Sequence, residues 1–185
     1  VNMARKLVRG TPQGGVLSPL LWNIAFDDLL DKFPKSHPIR AFGFADDVIL
    51  IGGGIDVPTI INNLQPALHA AADWGRENQL KFSPAKSTAV LFTRAYNSDK
   101  LIGQRKLRMN GGDIEWCKGV KYLGVYLDNR LRFTQHIKNR IKASKKALFR
   151  YKGLVGAKWG PSPLLMKWLW TGVVRPALSY AAPIW

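Results

Sequence analysis

Two short apolar runs, Ala41-Phe42-Gly43-Phe44-Ala45 and Val48-Ile49-Leu50-Ile51, flank the polar pair Asp46-Asp47 and close on Gly52-Gly53-Gly54. Short runs rich in Val, Ile and Phe, bounded by turn residues, predict a buried β-hairpin with the acids at its tip and the glycines at the strand exit. Upstream, Ser18-Pro19 has the chemistry of an N-cap with proline in the first turn, and Trp22, Phe26, Leu29, Leu30 and Phe33 then recur on one side of a helix. Asp27, Asp28 and Asp31 fall on the opposite, solvated face. Residues 58–78 repeat the helical spacing at Ile60, Leu64, Leu68, Ala71 and Trp74, with Pro66 placed to kink or split the helix at a cost of about 3 kcal/mol.

Beyond that helix the spacing predicts a strand over residues 88–93, a flexible polar loop over 94–106, and a hairpin over 107–116 around the Asn110-Gly111 turn. Thr134 is placed to cap a helix that turns Ile137, Ile141, Ala147 or Leu148, and Tyr151 toward the core. A last helix starts at Ser162-Pro163, runs through Leu164, Leu165, Trp168 and Leu169, and ends at Pro176, with Trp168 and Trp170 assigned to the core.

The acid pair changes the picture from scaffold to chemistry. Neighbouring ionised carboxylates repel each other, and apolar flanks add a desolvation penalty. A hard divalent ion removes both costs, and Mg²⁺ prefers oxygen ligands that it shares with substrate phosphates. The bland alternative is a polar hairpin turn, since Asp favours turns. The glycines at 52–54 do not form a nucleotide-cradling loop, because Ile55-Asp56 follow where Lys and Ser or Thr would be required. A second candidate is the glycine-bearing loop Gly10-Thr11-Pro12-Gln13-Gly14-Gly15, where backbone approaches a ligand closely.

Charge adds an independent indication. The 28 Lys and Arg oppose 12 Asp and Glu, for a net charge of +16 in 185 residues. Residues 129–185 hold 12 of the basic residues and none of the acidic ones. Lys138, Arg140, Lys142, Lys145, Lys146, Arg150 and Lys152 share one predicted helix, a segregated basic surface of the kind that meets a polyanion. No apolar stretch reaches the length of a spanning helix, and no leader pattern is present, so no membrane role is expected. The single Cys117 excludes an internal disulfide and a cysteine-based zinc site, and His37, His69 and His136 lack metal-ligand spacing.

These motifs, in this order, resemble the reverse transcriptases, and among them those of non-LTR retrotransposons. The segment from Gly10 to Leu20 resembles the family's template- and nucleotide-contacting palm motif, with Gln13, Gly14 and Gly15 in the binding positions. Phe44-Ala45-Asp46-Asp47 resembles its metal-binding motif, and residues 80–87 the next palm motif, whose lysine, here Lys86, lies near the departing pyrophosphate. Residues 121–128 resemble the primer-grip hairpin, with Tyr122, Leu123 and Gly124 at the grip, and residues 131–137 continue the non-LTR pattern into a thumb.

The resemblance implies an α+β fold: a partial polymerase palm over residues 1–128, an antiparallel sheet with packed helices, followed by a mainly helical, basic thumb over 129–185. It implies two Mg²⁺ ions in the complete enzyme, with Mn²⁺ as the alternative, held by Asp46 and Asp47 as metal ligands. It implies Lys86 as a catalytic cation, and Lys138, Arg140, Lys142, Lys145 and Lys146 on the nucleic-acid backbone. The implied partners are an RNA template, a DNA primer and deoxynucleoside triphosphates, with endonuclease or ribonuclease H domains fused in the full-length protein acting in cytoplasm and nucleus. The family's third catalytic aspartate lies upstream of the glycine-bearing loop, and residues 1–9 contain no acid, so the chain reads as a fragment that is inactive in isolation. Two other readings stay open: a non-catalytic nucleic-acid-binding remnant, and a reverse transcriptase of the group II intron maturase type.

Overall fold

The computed structural model describes residues 10, 12, 14–33, 39–153, 156 and 159–185. Gln13, His37 and residues 1–9 lie outside that set. The chain is α+β and divides into two units: the described residues of Val1–Ala89 with Asn97–Trp116, and Val90–Tyr96 with the described residues of Cys117–Trp185.

In the first unit, helix α1 (Ser18–Asp31) and helix α2 (Val57–Glu77) pack on one face of the hairpin formed by β1 (Ile39–Phe44) and β2 (Asp47–Gly52). The predicted face of α1 is the buried one: Phe26, Leu29 and Phe33 join Ile39, Ala67, Ala71 and Trp74 in one core, with Trp22 and Leu30 half-buried at its border. Removing a side chain the size of Leu29 from water is worth about 2 kcal/mol. Asp28, assigned to the solvated face, accepts a hydrogen bond from the Trp74 indole at 2.8 Å, which satisfies the polar end of the most buried tryptophan.

Ser18 does not cap α1. Leu17 occupies the cap position without a side-chain bond, and the Ser18 hydroxyl instead donates to the Pro12 carbonyl at 2.7 Å. Pro66 neither splits α2 nor ends it. The helix is continuous, with Ala67, Ala71, Ala72 and Trp74 buried beyond the proline and Asp56 capping its start through the Thr59 N–H at 2.8 Å. Burial on both sides of Pro66 outweighs one missing backbone bond. The Thr59 bonds also hold the Asp56 carboxyl below its ordinary value.

The far side of α2 carries Ala72 against Leu107, Met109 and Ile114 of β4 (Leu107–Met109) and β5 (Gly112–Trp116), the predicted Asn110-Gly111 hairpin. Gln65 fastens it, donating to the Arg108 carbonyl at 2.6 Å and accepting from its N–H at 3.0 Å. The strand expected over residues 88–93 is confined to β3 (Thr88–Ala89), parallel to β5, and the expected loop contains the helical turn α3 (Ser98–Ile102).

The second unit joins the hairpin β6 (Gly119–Tyr122) and β7 (Val125–Asp128) to α4 (Thr134–Lys152) and a C-terminal helical run. Thr134 is not the cap of α4. Phe133 is, in the left-handed conformation, and the Asp128 carboxylate takes the Arg132 and Phe133 N–H groups at 3.1 and 2.7 Å. The core side chain of α4 is His136, fully buried, while Ile141 and Leu148 are exposed. The final run comprises α5 (Pro163–Leu169), a π-helical turn (Trp170–Val174) and α6 (Arg175–Ser179). Pro176 does not end it, because the wide turn places the proline in the first turn of α6, where its missing N–H costs little. Trp168 and Trp170, expected in the core, are exposed, and Val174 is buried instead.

Candidate active site

The tip of the first hairpin is a two-residue connection. Phe44 pairs with Asp47, leaving Ala45 and Asp46 as the turn. Alternation puts Ile39, Ala41, Gly43, Val48, Leu50 and Gly52 on the face that meets α1 and α2, and Phe42, Phe44, Asp47 and Ile51 on the exposed face. The hairpin is therefore buried on one face, not two. Asp46 and Asp47 are both exposed, so burial of their charge does not demand a cation, contrary to the expectation from their apolar flanks.

What fixes the tip is α1. Ala45 has φ of +53°, a conformation costly for a residue with a Cβ and concentrated at functional turns. Its carbonyl accepts a 2.7 Å hydrogen bond from the Trp22 indole. One helical turn further, Phe26 stacks on Trp22 with ring centroids 5.6 Å apart and lies against Gly43, where a Cβ would stand 2.1 Å from the ring. Gly43 is thus the position at which strand and helix approach too closely for any side chain. A glycine inside an apolar strand run signals such an approach, whereas nothing in the sequence marks Trp22 as the partner of the turn.

The glycine-bearing loop is tied to the same helix. The Gly15 N–H donates to the Pro12 carbonyl at 3.0 Å and the Ser18 N–H to the Gly15 carbonyl at 3.2 Å, folding the loop onto the first turn of α1. Gly14, Gly15, Asp46 and Asp47 are in this way positioned by one element. Lys86 is exposed in the turn that ends with Ser87 bonded to Ser83, and among the described residues no hydrogen bond or ion pair joins it to either acid.

Two adjacent carboxylates at an exposed turn supply hard oxygen donors of the kind Mg²⁺ takes. As two donors they would form part of a ligand set; among the described residues no group of three His, Cys, Asp or Glu comes together to hold a metal.

In the second unit, Leu123 at φ +44° and Gly124 at +81° form the β6–β7 turn, and Tyr122, the last residue of β6, pairs with Val125 beside it. Burial raises the Asp128 carboxyl, but hydrogen bonds from the Arg132, Phe133 and neighbouring backbone N–H groups outweigh it and hold the group below its ordinary value. Lys138, Lys142, Lys145 and Lys146 are exposed along α4, whereas Arg140 is half-buried with its guanidinium 5.3 Å from the Tyr180 ring. Among the described residues no helix is long and apolar enough to cross a membrane.

Comparison with known proteins gives these positions a context. Residues 2–127 match the model of the family described as reverse transcriptase (RNA-dependent DNA polymerase). The chain is 23% identical over 95% of its length to the Retrovirus-related Pol polyprotein from type-1 retrotransposable element R1 of Nasonia vitripennis, covering 52% of that protein. It is also 23% identical over 98% of its length to the RNA-directed DNA polymerase from mobile element jockey of Drosophila melanogaster, covering 20% of it. A third relative, the R1 Pol polyprotein of Bradysia coprophila, is 24% identical over 98% of the chain and 18% of its own length. The chain thus spans about half or less of the curated relatives it matches, and no solved structure matches it. With a family match over more than half its length and relatives from non-LTR elements along the rest, the chain belongs to the reverse transcriptase family.

Proposed function

We propose that this chain is the palm and thumb portion of an RNA-directed DNA polymerase, residues 1–128 and 129–185 respectively, that extends a DNA primer on an RNA template. The observation that carries the reading is the shared mount of the acid tip and the glycine-bearing loop on α1, through the Trp22–Ala45 hydrogen bond and the Gly15–Ser18 turn. A polymerase needs its metal ligands and its nucleotide-contacting backbone held in one frame, since displacement of about 1 Å costs catalysis heavily.

In this reading Asp46 and Asp47 hold the divalent ions, with a further ligand from outside the described residues. Divalent ions held there would activate the attacking hydroxyl and steady the leaving oxygens. Gln13, Gly14 and Gly15 present side-chain and backbone groups to nucleotide and template. Lys86 supplies a mobile cation for the pyrophosphate as charge develops on it. The β6–β7 turn at Tyr122, Leu123 and Gly124 holds the primer terminus. Lys138, Arg140, Lys142, Lys145 and Lys146 meet phosphates, their attraction unopposed by any acid in residues 129–185.

The test is primer extension on an RNA template with Mg²⁺, by residues 1–185 and by a longer polypeptide that carries them with upstream sequence. The longer protein is expected to extend and its Asp46→Ala variant to lose extension, while residues 1–185 alone stay inactive. Undiminished extension by the variant overturns the metal assignment. Duplex binding without extension by any length of the protein favours the non-catalytic binding module instead.

A further inference from the structure

The β6–β7 ladder is a sheet of two strands, which is marginal by itself, and its turn puts a leucine at φ +44°. Something outside the hairpin must hold that turn. We propose that Tyr180, just beyond α6 and outside the family-matched segment, is a positioning residue that locks the Leu123-Gly124 turn and so sets where the primer terminus is held. The proposal rests on the reading of that turn as the primer grip.

Tyr180 is fastened at both ends. Its hydroxyl donates to the Leu123 carbonyl at 2.8 Å. Its ring lies against Gly124, where an added Cβ would stand 3.1 Å from the ring carbon and the hydroxyl oxygen alike, so glycine serves both the positive φ and the close contact. The Arg140 guanidinium is 5.3 Å from the same ring, within cation–π range. At the other end the Tyr180 carbonyl accepts the Trp185 indole N–H at 2.9 Å and His136 Nε2–H at 3.3 Å.

His136 completes the frame. Its Nδ1 faces the Tyr126 N–H of β7 at 3.4 Å, so a donor arrives on one side of the ring and an acceptor on the other, which selects the neutral tautomer with the proton on Nε2. Helix α4, strand β7 and the segment after α6 therefore meet through one buried imidazole, and the phenol projects from that junction to the turn. Tyr180 is 45% exposed, so losing the hydroxyl's bond to Leu123 costs folding little. Its consequence is geometric: it removes freedom from a turn that holds Leu123 in a left-handed conformation costly for a residue with a Cβ.

In the longer polypeptide, Tyr180→Phe is measured by single-turnover addition of one nucleotide to a primer on an RNA template. Loss of one ordinary hydrogen bond at the grip is expected to lower the addition rate at saturating nucleotide about five-fold. The nucleotide KM, the duplex Kd and the melting temperature should stay near wild type, a split that a merely structural role would not produce. An unchanged rate, or a change confined to melting temperature, overturns the proposal. Gly124→Ala, which disturbs the turn directly, separates the two layers. If it too leaves addition unchanged, the grip reading itself fails. If Gly124→Ala slows addition and Tyr180→Phe does not, the role of Tyr180 alone is refuted.

Discussion

Gly43→Ala tests how the acid tip is aimed. The new Cβ would stand 2.1 Å from Phe26 Cε1 and 2.9 Å from Cδ1, well inside contact distance. Phe26 is 7% exposed and belongs to the core of Leu29, Phe33, Ile39 and Trp74, so displacing its ring disturbs packed side chains. Overpacking of this kind costs about 1–3 kcal/mol. Phe26→Leu alone, a modest large-to-small core change, should cost about 1–2 kcal/mol. The double variant should cost less than the sum, because the smaller side chain gives the new methyl group its room. Urea unfolding of all four proteins, followed by the fluorescence of the tryptophans in this unit, measures the cycle. A coupling of about 1 kcal/mol or more is expected, and additivity within about 0.5 kcal/mol refutes the claimed contact. The same clash displaces the Phe26–Trp22 stack and with it the indole on Ala45. Extension by the longer polypeptide should therefore fall in Gly43→Ala and partly recover in the double variant.

Two further outcomes bear on the second unit. The Asp128 carboxyl is held below its ordinary value in the folded protein, so its contribution is present above that value and lost as pH falls through the lowered one. The gap in melting temperature between wild type and Asp128→Asn should accordingly be widest near neutrality and narrow as acid protonates the carboxylate, and a gap independent of pH contradicts the assignment of Asp128 to the N–H groups before α4. Replacing Lys142, Lys145 and Lys146 together by Ala should lessen the slope of log affinity for an RNA–DNA duplex against log salt by about 2–3, near one per phosphate contact removed. An unaltered slope places the nucleic acid elsewhere.

Local pattern was enough for the features that depend on near neighbours. The apolar runs around Asp46-Asp47, the face of α1 carrying Phe26, Leu29 and Phe33, the periodicity of α2 and the Asn110-Gly111 turn all follow from spacings of a few residues, and the motifs they bear were sufficient to indicate the family. Residues whose role depends on a distant partner were not legible in this way. Asp28 reads as solvated until Trp74, 46 positions away, donates to it, and Trp22 reads as helix packing until its indole meets Ala45. His136 carries a polar side chain on a cationic helix, yet it is the buried residue of α4, because Tyr126 and Tyr180 satisfy both ring nitrogens. Trp168 and Trp170 run the other way, apolar in sequence and exposed in the fold. The sequence by itself determined which segments become helix or hairpin and where paired acids occur, since those depend on short-range sterics and apolar period. Tertiary structure alone decided which polar groups find partners and how the turns are held, because burying a polar group is tolerable only where a specific distant atom completes its hydrogen bond.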